Sequence, residues 1–224
     1  MPADPNDRNV LVRHYEACFA KHGATPRGVN WPGGADLARR FAVMLQPIAD
    51  MGERPELLDL GCGPGLLLDY LAANGGLDRV KYRGIDLSRP MIESAQKSWP
   101  MHDFSCRDIL ADPLPDQSFD FVVMNGVLTE RASLDVESMT ALAEALVTAA
   151  FRAARIGIAF NAMNFHVDWQ RDDLFHWSFD ALAAFLKREV SRHYMIHAAY
   201  GLYEYTCFVW REPLGSTVKR PDTW

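Results

Sequence analysis

The chain has 224 residues, 49% of them apolar and 23% charged, the balance of one globular domain able to bury a core. Lys and Arg total 23 against 29 Asp and Glu, and the net charge of -6 argues against nucleic acid as a partner. No apolar run approaches the roughly 18 residues of a membrane span. The opening MPADPNDRNV lacks an apolar signal core, so the expected location is the cytoplasm, with no membrane partner. Cys18, Cys62, Cys106 and Cys207 are far apart and form no CxxC, and the seven histidines form no HExxH. No metal is expected. His193 and His197 fall in a stretch that reads as a strand, where they share a face without forming a known ligand pair.

In chain order, residues 1–9 read as polar and loose, Val10 to His22 as a helix, and Gly23 as its stop. The loop ATPRGVNWPGG leads to a second helix, Ala35 to Ile48, with Leu37, Phe41, Met44 and Leu45 on one face. Short apolar runs then alternate with helical segments. The runs are Leu57–Leu60, Val80–Ile85, a weaker one near Phe104, Phe119–Met124 and Ile156–Phe160; the helices cover Leu66–Ala73, Pro90–Ser98 and Val136–Arg155. Buried strands separated by helices predict a doubly wound α/β fold, its parallel sheet covered on both faces. A helix over Asp180–Val190 precedes two strand-like runs, Ser191–Ala198 and Tyr203–Arg211, joined near Gly201. That pattern predicts an antiparallel hairpin at one sheet edge.

The segment LLDLGCGPG, residues 57–65, follows the first strand and opens a helix. Gly61 and Gly63 permit a tight turn and close backbone approach to a ligand. A dinucleotide fingerprint would want a third glycine where this chain has Leu66, and Pro64 lies inside the turn. Asp59 would repel a pyrophosphate but could orient an amino acid's ammonium group. Asp86 ends the second strand, where an acid can accept from both hydroxyls of a ribose. Its plainer role is capping the next helix, which Ser88 can fill instead. Asp108, in CRDI after the third strand, could accept from an adenine amino group, or be only a solvated loop acid.

LLDLGCGPG, YRGIDLSRPMIESA, CRDI and SFDFVVMNGVL, in this order and spacing, resemble the class I S-adenosylmethionine-dependent methyltransferases from about Glu56 to Arg211. HGATPRGVNW, AFNAMNFHVDW and YGLYEYTCFVWR look like a bacterial small-molecule branch of that family. The resemblance implies a mostly parallel, seven-stranded Rossmann-like sheet with an antiparallel last strand. It also implies three regions: an N-terminal helical extension or lid over residues 1–50, a cofactor domain over 51–213 and a tail over 214–224. S-adenosylmethionine is the implied cofactor. Asp59, Gly61, Cys62, Gly63 and Gly65 would hold its methionine part, Asp86 its ribose, and Leu87 and Met91 would pack on the adenosine. Asp108 and Ile109 would read the adenine edge, and Asn125 would face the methyl group.

The segment after the fourth strand lacks an Asn/Asp-Pro-Pro-aromatic loop, and no Pro-Cys nucleophile is present, which favours a small-molecule acceptor over DNA or RNA. The expected reaction is O-methylation of a sugar or other hydroxylated metabolite. N-methylation of a small amine, or cofactor binding without turnover, remain alternatives; a nicotinamide oxidoreductase is disfavoured by Pro64 and Leu66. The acceptor pocket is expected from Tyr15, Arg27 and Trp31, from Glu130 and Arg131, and from a long loop between Asn161 and Trp177. That loop holds His166, Asp168, Trp169, Asp172, Asp173 and His176. His166 is the candidate general base, against the plainer reading of a loop histidine. Tyr15 is a second catalytic candidate whose simpler role is to pack the lid. Trp31, Arg131 and His166 are the candidate acceptor contacts. The extension could equally serve a homodimer.

Overall fold

The computed structural model describes residues 4–214. The tail expected over 214–224 therefore lies, beyond Leu214, outside the described residues. Helix α1 (Pro5–His22) starts earlier than expected, because Asp4 accepts from the Asn6 N–H at 2.8 Å and Pro5 sits in the first turn. Gly23, with φ 64, ends it. A 3-10 turn (Pro26–Val29) follows, then α2 (Gly34–Met44). The second helix was expected to reach Ile48. It stops at Met44, before Pro47, which cannot donate to the helical ladder, and the chain continues as a 3-10 turn over Gln46–Asp50.

The alternating part follows as β1 (Glu56–Leu60), α3 (Leu66–Ala73), β2 (Lys81–Asp86), α4 (Arg89–Ser98), β3 (Asp103–Cys106), β4 (Phe119–Leu128), α5 (Val136–Ala153) and β5 (Ala154–Asn164). Then come β6 (His176–Trp177), α6 (Phe179–Phe185) with a π turn to Val190, β7 (His193–His197) and β8 (Glu204–Trp210). β4 outlasts its apolar run, reaching Leu128 through an irregularity around Gly126, which has φ 81. β5 continues to Asn164, and β6 pairs with its end while Glu130 bridges Leu174. The long loop expected from Asn161 is thus shorter and tied down at both ends.

The sheet order is β3-β2-β1-β4-β5-β8-β7, with the two-residue β6 as an eighth strand beside β5. The first five are parallel, and β8 is antiparallel to both neighbours. The expected seven-strand path is present. Its hairpin is arranged so that the last strand, not the one before it, lies against β5.

Alternation along the strands feeds two cores. In β4, Phe121 and Val123 pack with Phe41, Leu67, Leu68 and Ile92 on one side, while Val122 and Met124 pack with Leu142, Val147 and Leu182 on the other. Leu11 of α1 joins the second core. β5 approaches β8 so closely at Gly157 that a Cβ there would lie 2.4 Å from the Val209 carbonyl oxygen. Gly157→Ala should therefore cost about 1–3 kcal/mol, because backbone rather than a flexible side chain must move. Thermal unfolding measures it, and an unchanged midpoint would show that β5 and β8 have slack.

Candidate active site

The parallel strands end along one edge of the sheet. Strand alternation puts Asp86, Asp59, Asn125, Asn161 and Glu204 on the same face near that edge, one from each of five strands. The first three line a cleft of about 1130 Å³, part of it open to solvent. The cleft also takes in Tyr15, Trp31, Gly61, Cys62, Gly63, Leu87, Met91, Asp108 and Ile109, so most of the residues singled out from sequence meet there.

The glycine turn is stapled to the end of β2. Gly61 and Cys62 donate to the Ile85 carbonyl at 2.7 and 3.1 Å, and the Gly63 N–H donates to Asp86 Oδ2 at 2.8 Å. Gly61, Gly63 and Gly65 all have positive φ. A Cβ on Gly63 would sit 3.3 Å from Val29 and 3.7 Å from the Met91 sulfur, inside the cleft wall. Gly65 does not line the cleft. It lets the turn pack against Trp99, Phe104 and Ala95.

Ser88, not Asp86, caps α4, its Oγ accepting from the Met91 N–H at 3.4 Å. Asp86 instead accepts from two backbone donors, Gly63 and Ser88, and burial raises its pKa. A carboxylate has about four lone-pair sites, so capacity for two hydroxyls remains. Asp59 is buried and accepts from the Tyr82 hydroxyl at 2.8 Å; burial outweighs that bond and lifts it to about 7. Asp108 forms a 2.9 Å ion pair with Arg8 of α1 and accepts from the Leu110 N–H, so it is not a free solvated acid. Asn125 Oδ1 is buried with no hydrogen-bond partner among the described residues.

These features fit an adenosyl amino acid. Carboxylates at three successive strand ends suit ribose hydroxyls, an ammonium and an exocyclic amine, and would repel the phosphates of a dinucleotide. The orphaned Asn125 oxygen is an acceptor waiting for a donor.

The N-terminal residues form the roof. Tyr15 donates to the Gly126 carbonyl at 3.0 Å, and Ser88 donates to Glu16 at 2.9 Å. Burial, with Glu130 as a lesser cause, drives the Tyr15 pKa far upward, which keeps the phenol protonated as a donor. Two other candidates lie away from the cleft lining. His166 is exposed on the β5–β6 connection, packed against Phe165 and Phe179, and Arg131 is turned to the Leu134 carbonyl. Neither lines the cleft.

Sequence reasoning missed Arg8, Val29, Arg40, Asn161 and Glu204. Period-two counting from Ala159 and from Phe208 would have put Asn161 and Glu204 on the cleft face, but both strands look uniformly buried. Glu130, two residues past the end of β4, is buried as well. Its Oε1 accepts from Asn30 at 2.9 Å, and His14 Nε2 lies 3.9 Å from Oε2.

Burial, with the nearby Asp173 as the second cause, raises Glu130 from 4.5 to about 7. The folded chain thus holds a proton that the unfolded chain releases. Stability contributed here falls as pH rises from about 4.5 to about 7 and stays lost above that. Glu130→Gln keeps an acceptor for Asn30 and removes the titration. It should raise the unfolding temperature at about pH 8 and leave it unchanged at about pH 4. Equal shifts at both values would contradict the buried acid.

A methyltransferase domain family matches residues 57–149, the stretch from β1 into α5. A Mycobacterium tuberculosis protein named as a methyltransferase is 36% identical over 157 residues, covering 67% of this chain and 90% of that protein. The malonyl-[acyl-carrier protein] O-methyltransferase of Pseudescherichia vulneris is 35% identical over 98 residues, 43% of this chain and 37% of its own length. Among solved structures, the magnesium protoporphyrin IX methyltransferase of Synechocystis PCC 6803, with bound S-adenosylmethionine, shares the fold. Its TM-score is 0.63 at 15% identity, covering 95% of this chain and 100% of that one. Likeness across nearly the whole mycobacterial relative, in a chain whose strand ends build this cleft, makes the protein a member of the class I S-adenosylmethionine-dependent methyltransferase family and an enzyme that uses that cofactor.

Proposed function

We propose that the protein methylates an oxygen of a small molecule, with the acceptor entering the cleft beside Asn125, Gly126 and Trp31. The observation that carries this reading is the unpartnered Asn125 oxygen beside the three strand-end carboxylates. S-adenosylmethionine, when bound, supplies a sulfonium-activated methyl group. Asp86 holds the two ribose hydroxyls with the lone pairs that Gly63 and Ser88 leave free. Leu87 and Met91 pack on the adenosine, and Asp108 with the Ile109 N–H reads the adenine edge. Asp59 and the Gly61–Gly63 turn hold the amino acid end, and Asn125 orients the groups around the reacting methyl.

The N-terminal extension acts as a lid on this reading. Arg8, Tyr15 and Glu16 tie α1 to Asp108, Gly126 and Ser88, closing the cleft against water. The chain's main contribution to the reaction is then alignment of acceptor and donor. Among the described residues no histidine or lysine lines the cleft. An acceptor whose oxygen is acidic or already ionised needs no such base, whereas an unactivated sugar hydroxyl needs one to take its proton.

Calorimetry should detect S-adenosylmethionine and S-adenosylhomocysteine but not NAD. Adding metabolite fractions should then release S-adenosylhomocysteine together with a methylated product. Binding without any release would leave a cofactor-binding protein without turnover. Asp86→Ala removes up to two hydrogen bonds to a charged acceptor, each worth roughly 1.5–3 kcal/mol, and should weaken binding about tenfold or more. Unchanged affinity would remove ribose recognition from Asp86.

Asp59 yields a pH test. Its value of about 7 in the free protein means that it must lose a proton to meet an ammonium group. Affinity for S-adenosylhomocysteine should therefore rise with pH through about 7, with proton release on binding, and Asp59→Asn should bind with a flatter profile. A parent protein with a flat profile would take Asp59 out of ammonium recognition.

A further inference from the structure

Two fully buried polar side chains, Asn161 on β5 and Glu204 on β8, share the cleft face of the sheet without touching the cleft. The Gly126 N–H donates to Asn161 Oδ1 at 2.8 Å, and Asn161 Nδ2 donates to Glu204 Oε1 at 3.0 Å. Glu204 Oε1 also accepts from the Tyr200 hydroxyl at 3.1 Å. Its other oxygen accepts from Arg40 Nε at 2.8 Å and lies 2.8 Å from Arg40 Nη2 in an ion pair. The Arg40 guanidinium lies 3.7 Å above the centre of the Trp31 ring. Trp31 in turn packs so tightly on Gly126 that a Cβ there would be 3.0 Å from the indole. The circuit closes on itself, and two of its members, the buried Gly126 and the half-buried Trp31, line the cleft beside Asn125.

A buried ion pair is a poor way to gain stability, since desolvation offsets the attraction and an apolar pair often does as well. Here Arg40 Nη1 has no hydrogen-bond partner among the described residues. What the pair does supply is direction. The planar guanidinium holds the indole flat, and the carboxylate fixes which way the Asn161 amide faces, with its oxygen toward the Gly126 N–H.

We propose that Glu204 is a positioning residue for the methionine end of the cofactor, acting through Asn161 on the Gly126 peptide and through Arg40 on the Trp31 indole. This rests on the cofactor orientation proposed above. The ribose and adenine contacts, at Asp86 and Asp108, lie at other strand ends and take no part in the circuit. Disturbing it should therefore separate ligands by whether they carry the amino acid part.

The test compares S-adenosylhomocysteine with adenosine by calorimetry, on the parent, Glu204→Gln, Arg40→Lys and the double variant Arg40→Met with Glu204→Gln. The double variant leaves no buried charge unpaired, so it covers the case in which Glu204→Gln alone fails to fold. Arg40→Lys keeps the charge and loses the flat contact with Trp31. The expected result is a loss of about tenfold or more for S-adenosylhomocysteine in Glu204→Gln or the double variant, a smaller loss in Arg40→Lys, and adenosine affinity within about twofold of the parent. Equal losses for both ligands would mean a general loosening of the fold and overturn the proposal, as would no loss for either. A parent protein that binds neither ligand would instead overturn the cofactor reading of the cleft.

Discussion

A carboxylate taken out of water must be given a partner, and this fold takes several out of water along one edge of its sheet. Asp59, Glu130 and Glu204 are buried, while Asp86 and Asp108 are half-covered. Their partners come from two sources. Tyr82 serves Asp59, and the glycine turn serves Asp86, both from within the sheet domain. Glu130, Glu204 and Asp108 are served by Asn30, Arg40 and Arg8, which all precede β1. The N-terminal segment is therefore joined to the sheet by its most demanding polar contacts, and apolar packing through Leu11, Leu37 and Phe41 fills the space between them.

The same constraint explains why one edge of the sheet becomes a site. Parallel strands end with their C-termini together, and each following loop must turn sharply to enter a helix on one face or the other. The space left between those loops is lined by the last inward residue of each strand. In the lower part of the strands these positions are apolar, as at Leu57, Phe121, Val123 and Ala159. At the ends they are polar. A row of polar groups over an apolar floor, roofed by α1 and the turn leading to Trp31, is a cleft that grips a partly charged ligand and keeps water away.

Not every polar group in the row lines the cleft. Asn161 and Glu204 continue it beneath α2, where Arg40 and Tyr200 bond to Glu204 and the Gly126 N–H bonds to Asn161. Asn125 stands where the row changes from cleft lining to internal support, and its amide oxygen has no hydrogen-bond partner among the described residues. The carboxylate at the start of β8 is thus linked to the Gly126 peptide of β4 through one hydrogen-bonded amide.

The sequence by itself determined the alternating strands and helices, the glycine turn and the acids that follow β1, β2 and β3. Those features are local: apolar runs, turn residues and helix caps act within a few positions of one another, and their spacing survives without knowledge of partners. Helix boundaries depart from the apolar pattern where a short-range cap or a proline decides them, as at Asp4 and Pro47. What only the tertiary structure decided is which residues meet across the chain. His166 and Arg131 have the right chemistry for an acceptor site, yet the bridge from Glu130 to Leu174 and the β5–β6 pairing turn them away from the cleft. Arg40 and Glu204 look like an ordinary helix cation and an edge-strand acid until β8 inserts beside β5 and buries them together. Pairing between segments more than a hundred residues apart depends on strand order, and strand order is set by the packing of whole layers, which no local pattern encodes.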